Sequence, residues 1–174
     1  MHPTTTIAVL ASALAGPACS PTLDWRELRP EGTGIAVTFP CKPDRHARPI
    51  VVAGHAVRME MLVCSAGGST YALAFADLPD PAAVAPALAE LRALAVTNIA
   101  AVPAPAASLQ VPGMTPSPQA ARVVLSGRYP DGAAVYEQAA FFAKGMRVYQ
   151  ASVVGNRPAG DAADTFLAAL KLSA

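Results

Sequence analysis

Apolar and polar positions alternate with a period of two through most of this chain, and the alternation predicts strands. Residues 34–39 place Ile35, Val37 and Phe39 on one face, and Pro40 ends the run. Residues 55–64 point Val57, Met59, Met61 and Val63 one way and Arg58 and Glu60 the other. Residues 70–76 set Tyr71, Leu73 and Phe75 against Ala72, Ala74 and Ala76, a face small enough for close packing. Three further runs, 122–128, 133–143 and 146–154, are joined by the turn residues Pro130-Asp131-Gly132 and Lys144-Gly145 and predict a meander. Residues 49–53 allow a short additional strand turned at Gly54.

Helical spacing replaces alternation twice. Val84, Leu88, Leu91, Leu94, Ala95 and Ile99 recur at three- and four-residue intervals, with Asp80 as N-cap and Pro81 at the first position. Pro86 conflicts with the first turn and moves the regular start towards Ala85. The second helix spans residues 158–172 and presents Phe166, Leu167 and Leu170. Between them, residues 102–119 carry five prolines and read as a loop with a short strand at 107–111. The expected architecture is α+β: an antiparallel sheet of about six strands with two main helices packed on it.

The N-terminal segment follows neither period. Residues 7–18 are uncharged and apolar, and polar sequence starts directly after Cys19. The run is too short to cross a bilayer, which needs about 20 residues. It reads as an export signal. A cysteine in this position resembles the lipobox of bacterial lipoproteins, which implies that Cys19 is acylated and becomes the new N-terminus. A rival cut after Ala15, at Ala13-Leu14-Ala15, would instead release a soluble protein. The expected organisation is a lipoprotein-type signal peptide at 1–18, a tether and lead-in at 19–33, and one domain at 34–174.

The three cysteines are an odd number for an exported chain. With lipid on Cys19, Cys41 and Cys64 remain as a pair, and an oxidising compartment favours a disulfide between them. That crosslink contributes roughly 3 kcal/mol. Two buried free thiols are the alternative.

The 174 residues have a formal net charge of +1 with the cations scattered, which excludes the basic stripe of a nucleic-acid binder. Lys42, Arg45, His46 and Arg48 form the one dense basic cluster, expected in a loop. It suits lipid headgroups or an acidic partner, at roughly 1 kcal/mol per charge; a solvated loop accounts for it as well. His46 and His55, with Asp44, invite a metal reading, but their spacing matches no short-range ligand pattern. Ser65 and Ser126 lack a G-x-S-x-G elbow. Asp77 and Asp80 at one helix start, and Asp161 and Asp164 at the other, are explained by capping and the helix dipole. No catalytic residue, metal set or cofactor is assigned. Tyr136, Phe141, Phe142 and Tyr149 could line a groove or fill the sheet core, and Trp25 could meet a partner or cover the core edge.

The opening Ile35-Ala-Val-Thr-Phe-Pro40 and the closing Thr165-Phe-Leu-Ala-Ala-Leu170, with the element order between them, resemble small bacterial envelope proteins of the PsbP-like fold. The resemblance implies a non-enzymatic accessory or binding module and carries no site residues with it. The expectation is an exported, lipid-anchored envelope protein on the periplasmic side. It would be held to the membrane through Cys19 and bind an unidentified envelope protein or small ligand. The rival is a periplasmic enzyme or metal-binding protein that uses the Lys42–Arg48 and His55 region.

Overall fold

A computed structural model describes residues 22–102 and 105–173. Cys19 and the expected signal peptide lie outside the described residues. Strands β1 (Arg26–Leu28) and β2 (Ile35–Phe39) open the fold. They are followed by β3 (Asp44–Val52), β4 (His55–Ala66) and β5 (Ser69–Asp77). Helix α1 (Val84–Asn98) comes next. After it come β6 (Ala107–Ser108), β7 (Ala121–Arg128), β8 (Ala134–Lys144) and β9 (Arg147–Gly155). Helix α2 (Asp161–Ala168) and β10 (Lys171–Leu172) close the chain.

The main sheet has seven antiparallel strands in the order β3-β4-β5-β9-β8-β7-β6, and a second sheet has three, β1-β2-β10. This corrects the expected α+β domain with about six strands and two main helices: the chain is mostly β, at 47% strand and 17% helix. Pairing explains the difference. Residues 35–39 were expected in the main sheet, but β2 leaves it and pairs with β1 and β10. Part of the second helix is strand: α2 stops at Ala168, and Leu172 lies opposite Ile35. The basic loop is mostly β3, paired with β4 along its whole length from Asp44 opposite Val63 to Val52 opposite His55.

The main sheet is covered on both sides. On one side, Tyr71, Leu73, Phe142, Tyr149 and Val153 pack against Ile35, Val37 and Phe39 of the small sheet and Phe166 and Leu170 after it. On the other, Ala87, Leu88, Leu91 and Ala95 of α1 pack against Val123, Val135, Phe141 and Val148. Burial on both faces explains why β8 and β9 read as near-continuous apolar runs. Burying a side chain such as Phe39, Phe141 or Leu88 is worth roughly 1.5–3 kcal/mol.

Three local features fix these layers. Asp80 accepts a hydrogen bond from the Ala82 amide at 2.8 Å and caps the 3-10 turn that leads into α1. Ala53 and Gly54 both have positive φ, 49° and 76°, as a tight two-residue hairpin turn requires. The Ala53 amide donates to Glu90 at 2.7 Å and ties that turn to α1. At the far end of α1, Gly127 on β7 lets the Ile99 carbonyl approach, and the Arg128 amide donates to it at 2.8 Å.

Candidate functional site

The four residues of the basic cluster do not converge. Lys42 lies in the link before β3, and the other three are on β3, where successive side chains point to opposite faces. Arg45 points to the small-sheet side. It donates to Glu60 through Nε at 2.8 Å, donates to the Glu31 carbonyl at 2.9 Å, and lies 5.9 Å from the Phe75 ring centroid. His46 and Arg48 share the opposite face with Met61 and Met59, their direct cross-strand partners. β3 is an edge strand, and exposed charges together with Pro49 are what keep such an edge from pairing with another chain.

His46 and His55 share a face but not a site. His55 is opposite Val52, at the other end of the hairpin from His46 opposite Met61. Six residues of strand separate positions 46 and 52, about 20 Å. Among the described residues, no group of three His, Cys, Asp or Glu side chains could hold a metal ion.

Cys41 and Cys64 meet at disulfide distance, with sulfurs 2.08 Å apart and Cα atoms 6.0 Å apart. The crosslink joins the end of the small sheet to β4, at the same end of the domain as Trp25. That ring packs edge-on against Tyr71 at 5.9 Å and covers the edge of the core. Phe141, Phe142 and Tyr149 are buried in the sheet, with Phe142 stacked on Tyr149 at 5.1 Å, and of the three Tyr149 also borders a cleft.

An open cleft of about 630 Å³ lies at one end of the main sheet, lined by Asp77, Thr115, Lys144, Met146, Arg147 and Tyr149 among others. Its charged groups are already partnered. Arg147 donates through Nε and a second nitrogen to both oxygens of Asp77 at 2.6 Å, and to the Gly32 carbonyl at 2.5 Å. These bonds hold the Asp77 carboxyl below its ordinary pKa and raise that of Arg147. Lys144 donates to the Ser173 carbonyl. Arg147 also lies 5.3 Å from the Phe75 centroid. This end of the sheet is a clamp on the turn before β2: Glu31, Gly32 and Thr33 offer successive carbonyls to Arg45, Arg147 and Tyr149.

Two of the remaining candidates for chemistry are engaged in structure. Ser65 shares a hydrogen bond with Thr70 at 2.9 Å, and Asp164 pairs with Arg122. Ser126 is exposed on β7.

Two features of this surface were not assigned from the sequence. Glu137 is only 6% exposed, on the α1 side of β8 between Leu125 and Val154. Burial among these apolar partners pushes its carboxyl up to about 7. The lone acid within a largely apolar strand was the available signal. The second feature is a cavity of about 170 Å³ lined by His46, Ala47, Arg48, Met59 and Met61. The shared face of the two methionines was legible; the register that brings His46 opposite them was not.

Among the described residues, no helix is long and apolar enough to cross a membrane. No family model and no curated protein matches the chain.

Proposed function

We propose that this chain is an exported cell-envelope protein, lipid-anchored through Cys19 on the periplasmic side, that acts as a non-catalytic binding or assembly module. The observation that supports this reading is the Cys41–Cys64 pair at disulfide distance. Disulfides persist in oxidising compartments. The pair uses two of the three cysteines and leaves Cys19, at the end of its apolar run, as the one for lipid. The non-catalytic part rests on the paired state of the charged groups in the main cleft, where Asp77, Arg147 and Lys144 all hold protein partners.

The test is expression from the natural start codon in a bacterial host with an alkyne-tagged palmitate. The protein is expected in the membrane fraction and labelled, and Cys19→Ser is expected in the soluble fraction and unlabelled. An unlabelled wild-type protein, or equal labelling of the two, would overturn the proposal.

A further inference from the structure

We infer that the β3–β4 edge holds a soft monovalent metal ion, of the copper(I) class, on His46, Met59 and Met61. The inference deepens the reading of a binding module by naming the ligand class. It depends on the folded domain and not on where the chain resides.

Register carries the argument. His46 is directly opposite Met61, and Arg48 is directly opposite Met59. In an antiparallel pair, opposed Cβ atoms lie about 4.5–5.5 Å apart and diagonal ones about 7–8 Å apart. Met59 and Met61 alternate on one strand and therefore project from the same face as His46. All three side chains line the one cavity of about 170 Å³. Two flexible thioether arms and an imidazole thus line the same small cavity.

The donor set selects the ion. Both sulfurs and the neutral imidazole nitrogen are uncharged and polarizable. Magnesium and calcium require oxygen ligands, and none of the lining side chains is a carboxylate. Zinc sites are built from thiolate, imidazole and carboxylate, of which only one imidazole is present here. Thioethers select copper(I). Arg48 lines the same cavity and its charge opposes any cation there, half as strongly for a monovalent ion as for a divalent one, so binding rests on the soft donors. Access is open: His46 is exposed, and Met59 and Met61 are each only half-buried on the sheet face.

The test uses silver(I), which has the same ligand preference and no second oxidation state to attack the disulfide. It is titrated into the full chain carrying Cys19→Ser, so that no free thiolate competes. The readouts are the methionine methyl and histidine ring resonances. Saturation at one equivalent is expected, with shifts at Met59, Met61 and His46, while Met114, Met146 and His55 serve as internal controls. Met59→Leu and Met61→Leu are each expected to weaken binding by at least about tenfold, since even outer-shell changes at metal sites cost that much. His46→Ala, on an exposed edge strand, keeps the test valid if a methionine variant fails to fold. Absence of shifts at one equivalent would overturn the site. So would shifts shared equally by Met114 and Met146, or unchanged affinity in His46→Ala. Failure here leaves lipidation of Cys19 standing, and unlabelled Cys19 leaves this site standing.

Discussion

The hydroxyl of Tyr149 donates to the carbonyl of Thr33 at 2.9 Å, joining the middle of the main sheet to the turn that launches the small one. Both residues are buried, at 2% and 0% exposure. Phenylalanine in place of Tyr149 keeps the stacking on Phe142 but leaves the Thr33 carbonyl without its donor. Tyr149→Phe is therefore expected to cost about 1–3 kcal/mol. A urea titration checks this as a lower midpoint at an unchanged slope.

Gly127 is the contact point between the end of α1 and β7. A Cβ added there would lie 2.0 Å from the Ile99 carbonyl oxygen, a backbone atom that cannot step aside alone. Gly127→Ala is expected to destabilise by about 3 kcal/mol through overpacking. The backbone amide of Arg128 should then exchange faster with solvent, since its bond to Ile99 would be the first to open. Unchanged exchange at that amide would contradict the assigned contact.

Glu137 makes stability depend on pH. Its folded pKa of about 7 lies above its ordinary value of 4.5, so between these values the folded chain holds a proton that the unfolded chain has lost. Stability falls as pH rises through that window and is level above it, by an amount on the order of 3 kcal/mol. Asp77 acts with the opposite sign. Held below its ordinary 3.8 by Arg147, it contributes stability above that value that is lost as pH falls through its lowered folded pKa. Glu137→Gln is expected to remove the dependence between pH 4.5 and 7 and to be the more stable protein at pH 8. Thermal melts of both proteins across pH 4–8 check it.

The Cys41–Cys64 link closes a span of 23 residues that includes β3 and most of β4. Reduction is expected to cost roughly 3 kcal/mol. Cys41→Ser with Cys64→Ser should reproduce the midpoint of the reduced wild type in urea. A wild type indifferent to reductant would show that the crosslink does not constrain the unfolded chain.

Much of this fold was legible because burial on one face writes a period of two into the sequence. β4 and β5 follow that rule, and β7, β8 and β9 were located by their turn residues. The start of α1 was legible in Asp80-Pro81. Of β3 only the end, within the short strand expected at 49–53, was legible; residues 44–48 are exposed on both faces and carry no alternation, and Pro49 inside the strand is tolerated only at an edge. β1 and β10 are two or three residues long and exist through their partners, so no local pattern announces them, whereas β6 falls within the short strand expected at 107–111. The departure of β2 from the main sheet depends on those partners as well. Of the site, the residue types around His46 and Met61 were visible, but their meeting depends on strand register, which a one-residue slip would reverse.

Lipidation at Cys19 is the claim on which the functional account rests, and an intact mass under non-reducing conditions addresses it most directly. The protein is expressed from its own start codon in a bacterial host. The account predicts a chain beginning at Cys19, carrying acyl groups, and lighter by the two hydrogens of the Cys41–Cys64 bond. An unacylated chain beginning at Gly16 would contradict it and make the protein a soluble one with a free Cys19 thiol.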